Sequence, residues 1–345
     1  MRLRSLTVVA ALAVVMTLVA GSGASPPMTE PEMPDEEMLM MTLMGGGIES
    51  SSAQPRAAWL SASAFGVFSA ASANAAGFHS IDVPGAIATR AFGINARGVV
   101  VGSYTDATGT TYGFRWRDGN VTTITFPGAI HTEAWGINPR GDIVGRYRMA
   151  GDVRTFGFLL RRGVYTDISV GSHFHTLPIK ITPSGVVVGC FHDTNFLRDM
   201  RGYVQRGDRV SSFELLRSTM HNGVARGGKL IAGISFDSLF EVHGYVLERD
   251  AYTQFDYPGA TFTQAWDVNS SGTVVGYFEP VTSHGFSLDE DGFTQIDVPG
   301  ASWTRIFGIN SQGDMVGTYA DASNGVHAFL LQDKADDEDE DEDDG

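Results

Sequence analysis

The sequence predicts an all-β fold, a six-bladed β-propeller of four-stranded blades, and three observations predict it. A phrase recurs along the chain, the recurrence keeps one period, and the two ends of the array complement each other. The phrase runs from Pro-Gly-Ala through Gly-Ile-Asn and Val-Gly-x-Tyr to Gly-Phe. Clear copies begin at Ile81, Thr125, Phe255 and Ile296, and two weaker copies lie between them. The Val-Gly glycines are Gly102, Gly145, Gly189, Gly233, Gly276 and Gly317, with steps of 43, 44, 44, 43 and 41 residues. Four short strands and their turns occupy about 40–45 residues, the length of one blade.

Within the first repeat the strand-like runs are Thr89–Asn95, Val99–Thr105, Tyr112–Arg117 and Val121–Phe126, all rich in β-branched and aromatic residues. Asn-x-x-Gly (Asn95 to Gly98, Asn138 to Gly141, Asn269 to Gly272, Asn310 to Gly313) joins the first strand to the second. An Asn side chain folds back onto a turn backbone, and Gly accepts a positive φ. The Pro-Gly pairs at Pro84, Pro127, Pro258 and Pro299 fit the central positions of a type II turn.

The ends of the array argue for a closed ring. Phe78–Val83 matches a fourth strand with no first three before it, and Val326–Leu331 matches a third strand with no fourth after it. Pairing the two seals the ring and leaves no bare sheet edge. A stacked parallel β-solenoid also fits the period, as two coils per repeat, but has no need of a displaced strand. Closure of this kind makes Thr89–Asn95 and its equivalents innermost. Phe92, Trp135, Ile179, Trp266 and Phe307 then share one register, with Ile94, Ile137, Ile181, Val268 and Ile309 two residues on. Gly93, Gly136 and Gly308 point the other way and are expected to make room for the neighbouring blade's aromatic. These large and small positions read as packing.

The 345 residues are 43% hydrophobic and 19% charged, with 42 glycines, as expected of a globular chain with many tight turns. Net charge is −16, of which the stretch Asp333–Asp344 supplies −9, with ten acids and one lysine. Such a run repels itself, so residues 332–345 are expected to be a disordered acidic tail. No basic cluster suggests a nucleic-acid partner. At the other end Arg2 and Arg4 precede an apolar stretch, Leu6–Ala20, and small residues Ser22-Gly23-Ala24 follow. Residues 1–24 therefore read as a signal peptide and 25–77 as a disordered linker rich in Met and acids, then in Ala and Ser. A second apolar segment at 57–76, ending in Ala73-Asn74-Ala75, offers another cleavage point. The mature chain is expected to have no membrane span, to be extracellular or periplasmic, and to be a monomer. The ring itself spans 78–331. Cys190 is the single cysteine, so no intramolecular disulfide forms.

The combination of Pro-Gly-Ala, Gly-Ile-Asn-x-x-Gly, Val-Val-Gly-x-Tyr and a closing His-Gly-Phe resembles the extracellular HAF-repeat proteins. The closing motif stands here as His243-Gly244-Tyr245, His284-Gly285-Phe286 and His327-Ala328-Phe329. The resemblance implies an exported bacterial repeat protein and no catalytic residues, since that family has no established activity. The third copy departs with Lys180 for the small glycine and Thr182 for the turn Asn. The fourth lacks both Pro-Gly-Ala and a clear Gly-Ile-Asn.

The Pro-Gly-Ala turns should ring one mouth of the central channel. Four residues past each proline the side chain varies: Ala88, His131, His175 by alignment, Phe262 and Trp303. A threonine follows (Thr89, Thr132, Thr176, Thr263, Thr304), and the next residue varies again: Arg90, Glu133, Leu177, Gln264 and Arg305. Variation at one place on a repeated scaffold suits a ligand site, and ordinary surface drift is the rival explanation. The candidate ligand-binding set is Arg90, His131, Glu133, His175, Gln264, Trp303 and Arg305. No cofactor, metal set or catalytic residue is assigned. His131 and His175 stand at places that could approach each other across adjacent blades, but no carboxylate-rich set accompanies them. The methionines of Met28–Met44 suit Cu(I), but no other soft ligand stands there. The period-locked His of the closing motif reads as a structural hydrogen bond. Lys180 and Asp267 replace the small residue of the inner strand and read as charges solvated by the channel, with buried, functional charges as the rival reading. The functional expectation is an exported, non-catalytic binding or scaffold propeller recognising a glycan, a peptide or an extracellular protein at the mouth. The alternative is a hydrolase or lyase acting on a polysaccharide. That alternative needs paired carboxylates, and Glu133 is the one acid at these variable positions.

Overall fold

The computed structural model describes residues 77–193, 200–213, 218–237, 241–249 and 251–332. The expected signal peptide, the linker up to residue 76 and the acidic tail from residue 333 lie outside the described residues. The rest is all β. The first blade is β2 (Ala86–Ile94), β3 (Val100–Asp106), β4 (Thr111–Arg117) and β5 (Asn120–Ile124). The second is β6 (Ala129–Ile137), β7 (Ile143–Met149), β8 (Phe156–Arg161) and β9 (Val164–Ile168). The third is β10 (His175–Ile181), β11 (Val187–His192), β12 (Arg201–Arg206) and β13 (Arg209–Ser212). The fourth is β14 (Thr219–Ala225), β15 (Leu230–Phe236), β16 (Val242–Glu248) and β17 (Ala251–Phe255). The fifth is β18 (Thr263–Val268), β19 (Val274–Phe278), β20 (His284–Asp289) and β21 (Gly292–Ile296). The sixth is β22 (Trp303–Ile309), β23 (Met315–Ala320) and β24 (Val326–Leu331), completed by β1 (Phe78–Ile81).

The displaced strand closes the ring. β1 pairs antiparallel with β24, Phe78 opposite Leu331 and Ile81 opposite Ala328. It is shorter than the predicted Phe78–Val83, because Asp82 and Val83 already lead into the Pro-Gly turn. Blades six, one and two run together as one twelve-stranded sheet, whereas the other three are separate four-stranded sheets. The fusion rests on single parallel bridges, Ala88 to Val326 and Thr111 to His131, and the same bridge recurs between Val242 and Phe262.

The recurring residues each have a mechanical task. At the Pro-Gly turns Gly85, Gly128, Gly259 and Gly300 have φ of 81°, 80°, 82° and 79°, the type II value. The threonine six residues after the turn's first residue pins it: Thr89, Thr132, Thr176, Thr263 and Thr304 Oγ1 accept from the N–H of Val83, Phe126, Val170, Tyr257 and Val298. At the opposite end, Asn95 Oδ1 accepts two turn N–H groups while its Nδ2 donates to Asn138 O at 3.0 Å in the next blade. Asn138 reaches Thr182 O and Asn310 reaches Asn95 O in the same way, so these turns stitch neighbouring blades together. The Val-Gly glycine that marks the period lies beneath a bulge in each innermost strand. A Cβ on Gly102 would stand 1.9 Å from Arg90 O, and one on Gly276 1.8 Å from Gln264 O.

Gly93, Gly136 and Gly308 make room for something other than the expected aromatic. A Cβ on Gly93 would meet Trp135 O at 2.6 Å, and one on Gly136 would meet Ile179 O at 2.5 Å. The glycines let neighbouring innermost backbones approach, while the aromatics turn to the axis and fill it. Phe92 stacks on Trp135 at 4.0 Å between centroids, Trp135 on Trp266 at 5.6 Å, and Trp266 meets Phe307 edge-on at 4.9 Å. Blades two and five are opposite, so the rings meet across the axis and plug the channel. Asn222 takes the equivalent place in blade four; its Nδ2 donates to Ala265 O at 2.9 Å.

The reading of Lys180 and Asp267 as solvated charges is overturned. They are 7% and 6% exposed and form an ion pair at 3.0 Å. Lys180 Nζ also donates to Phe92 O at 2.7 Å and Phe307 O at 2.9 Å, so all three ammonium protons have acceptors. Asp267 accepts from the N–H groups of Val268 and Ile309. Burial pushes its carboxyl above the ordinary range against the pull of Lys180. One side chain thereby ties blades one, three, five and six at the axis.

The closing histidines each make the structural hydrogen bond expected of them through one ring nitrogen. His243, His284 and His327 Nδ1 contact Asp256, Asp297 and Asp82 at 2.7, 2.9 and 2.8 Å. The last of these crosses the ring closure. Burial alone would lower the His327 pKa, but Asp82 and Asp321 outweigh it and raise it above the usual imidazole value. The folded state therefore holds this proton more tightly than the unfolded chain. The contribution is full below the unfolded pKa of about 6.5 and is lost as pH rises through the raised value. A partly exposed pair is worth at most about 1 kcal/mol. Calorimetric melting from mildly acidic to mildly alkaline pH should fall more in the wild type than in His327→Gln. Parallel profiles would contradict the assignment.

Candidate functional site

The innermost strands begin on one side of the ring, so the variable positions lie toward one mouth, some of them beneath its surface. Two clusters form there. On blade two, Glu133 is 5% exposed and lies beneath the surface. It accepts from Trp135 Nε1 at 2.7 Å and from Arg146 Nε, and His131 Nε2 is 3.1 Å away. Burial opposes its charge, but Arg146 and His131 outweigh that effect and hold its pKa well below the usual carboxylate value. The Arg146 guanidinium caps the plug, 5.0 Å above the Trp135 ring.

The second cluster spans blades five and six. Arg305 lies 5.0 Å from the Trp303 ring and 4.8 Å from the Tyr277 ring. Its Nε donates to Ser283 Oγ at 2.8 Å and its Nη2 to Glu279 at 3.1 Å. Beside it a cavity of about 270 Å³ is lined by His284, Asp297 and the run Val298–Thr304, with Trp303 among them. Asp297 Oδ2 is held by His284 Nδ1 and by Gln295 Nε2 at 2.6 Å. Asp297 Oδ1 and His284 Nε2 make no hydrogen bond among the described residues, and stay available to a polar ligand.

The seven candidates from sequence thus fall into different settings. Trp303 and Arg305 come together at the cavity, and His131 joins Glu133. Gln264 is fully buried and accepts from Trp266 Nε1 at 2.9 Å, as Glu133 does from Trp135. Both acceptors support the plug from below the mouth. His175 does not meet His131; its Nδ1 accepts from Thr155 N–H at 3.0 Å and its ring stacks on His192. Arg90, half-buried, pairs with Ser103 in the ladder of blade one. Sequence reasoning missed Asp297 and His284 as cavity walls. Their signal was present in the closing motif and in the Asp of Ile-Asp-Val-Pro-Gly, but both were read as scaffold.

No protein-family model matches the chain, and no curated protein does. Solved structures do. A protein of Arthrobotrys oligospora, AofleA, is similar over 76% of this chain and 89% of its own, at 14% identity and TM-score 0.50. The fucose-recognising, six-bladed lectin of Aleuria aurantia is similar over 73% and 90%, at 10% identity and TM-score 0.42. TolB of Acinetobacter baumannii is similar over 71% and 54%, at 11% identity and TM-score 0.43. At 14% identity the likeness to AofleA bears on fold alone.

Proposed function

We propose that this is an exported, non-catalytic propeller of the HAF-repeat kind that binds a glycan at the mouth, between its fifth and sixth blades. The observation that carries the reading is the cavity walled by Trp303, His284 and Asp297. An indole face accepts the apolar face of a pyranose, while a carboxylate oxygen and an imidazole nitrogen hydrogen-bond its hydroxyls. Arg305, held by Ser283 and by its ion pair with Glu279, lies 5.0 Å from the Trp303 ring and fixes the indole in place. The fungal lectins of this fold are described as fucose-binding, but a likeness of fold transfers no ligand. The enzymatic alternative is weaker on chemical grounds. A glycosidase acid must hold its proton near neutrality. Glu133 is driven the other way, and the raised carboxyl, Asp267, is sealed in the axis with Lys180.

A panel of neutral and acidic oligosaccharides tests the reading. Trp303→Ala with Arg305→Ala should abolish the binding seen in the wild type while circular dichroism and cooperative melting persist. Undiminished binding in a folded double variant would remove the site.

A further inference from the structure

The top of blade four carries a second group of ligating side chains, independent of the glycan cavity. We propose that Asp237, Glu241 and His243 form a binding site for a divalent transition metal of the zinc class. One ligand atom from each lies within 4.8 Å of the other two, and among the described residues no other trio of His, Cys, Asp or Glu is so placed. The site is built on a repeated frame, which makes its difference visible. In blades one, four and six an aspartate at or just past the end of the second strand donates its N–H to the carbonyl four residues on: Asp106 to Thr110, Asp237 to Glu241, Asp321 to Gly325. The aspartate Oδ1 accepts the return N–H in each case. Two residues further stand Tyr112, His243 and His327. Only blade four puts a carboxylate at the middle position, where the other two have Thr110 and Gly325.

The imidazole differs as well. In blade six His327 Nε2 is 3.3 Å from Asp321 Oδ2, within hydrogen-bond reach. In blade four the corresponding distance, His243 Nε2 to Asp237 Oδ2, is 3.8 Å. His243 is 8% exposed, and Nε2 has no hydrogen-bond partner among the described residues. Its Nδ1–H donates to Asp256 Oδ1 at 2.7 Å. A carboxylate behind one ring nitrogen fixes the tautomer and presents the lone pair of the other, the arrangement that supports metal-bound histidines. Zinc bonds of about 2.0–2.1 Å in a tetrahedron place ligand atoms roughly 3.4 Å apart, against 3.8 Å now between His243 Nε2 and Asp237 Oδ2 and no more than 4.8 Å between any two of the three. Nitrogen beside two oxygens suits zinc or its transition-metal neighbours better than calcium or magnesium, which take oxygen alone. Three protein ligands leave a coordination position for water.

Titration calorimetry of the metal-stripped full chain with zinc chloride at neutral pH tests this. One saturable zinc site is expected above the weak association of zinc with the acidic tail, and calcium chloride should show the weak component only. His243→Ala should abolish the site, and Glu241→Gln, which leaves the His243–Asp256 pair intact, should weaken it at least about tenfold. Asp256→Asn should weaken it about 10–100-fold, the usual effect of losing the carboxylate behind a metal-bound histidine. His327→Ala should leave it unchanged. Absence of a saturable zinc site in the wild type, or its survival at full affinity in folded Glu241→Gln, would overturn the proposal.

Discussion

Lys180→Met should cost about 3–5 kcal/mol, because it leaves Asp267 buried without its cation. The ammonium is replaced by a side chain of similar length, so little volume changes. What is lost is the ion pair at 3.0 Å and the two bonds to Phe92 and Phe307 carbonyls. Asp267 is already raised by burial with Lys180 present, and without it the carboxyl should hold its proton still more tightly. A raised folded-state pKa means the deficit is smallest below the unfolded carboxyl value of about 3.9 and grows as pH rises from there through the raised one. Asp267→Leu added to Lys180→Met should recover part of the loss, since removing both partners of a buried pair is often neutral or better. Denaturant unfolding across pH checks both points. A Lys180→Met variant as stable as the wild type at neutral pH would show that the axis is wet and the pair incidental.

The aromatic plug should be almost as sensitive. Trp135→Ala and Trp266→Ala are each expected to cost about 3–5 kcal/mol, the usual range for truncating a large buried aromatic. The two indoles are 7% and 3% exposed and stack on each other. Each also donates its N–H to a buried acceptor, Glu133 or Gln264. Truncation therefore leaves a cavity and removes one hydrogen bond from a buried acceptor. Because the rings touch, the double variant should cost less than the sum of the singles. Urea unfolding of the three variants measures this. A loss below about 1 kcal/mol in either single variant would place the ring outside the core.

Most of the architecture was legible because the repeat states it six times over. The period, the Pro-Gly and Asn-x-x-Gly turns and the displaced strand Phe78–Val83 are all local patterns, and local patterns are what a sequence displays. The errors lie where a residue departs from the repeat. Lys180 and Asp267 sit at places that are small in other blades, and their meeting across the axis depends on ring closure, which no local window shows. Gly93 was assigned the wrong neighbour for the same reason: the choice between a facing backbone and a facing ring is tertiary. At the mouth, variation singled out Trp303 and Arg305, which line or adjoin the cavity. It also singled out Glu133 and Gln264, which vary in step with the indoles they support. Asp297 and His284 escaped notice because the turn and closing motifs already explained their positions, and Asp237 and Glu241 because they fall in no repeated motif.

The claim that the mouth of the fifth and sixth blades binds a glycan is tested most directly at the Trp303 indole. In ¹⁵N-labelled protein its N–H resonance can be assigned by comparison with Trp303→Phe. Titrating the oligosaccharide panel should shift that resonance saturably with at least one member, while the Trp116 indole on blade one stays in place. Binding that leaves the Trp303 resonance unmoved, or no binding by any oligosaccharide, would contradict the account.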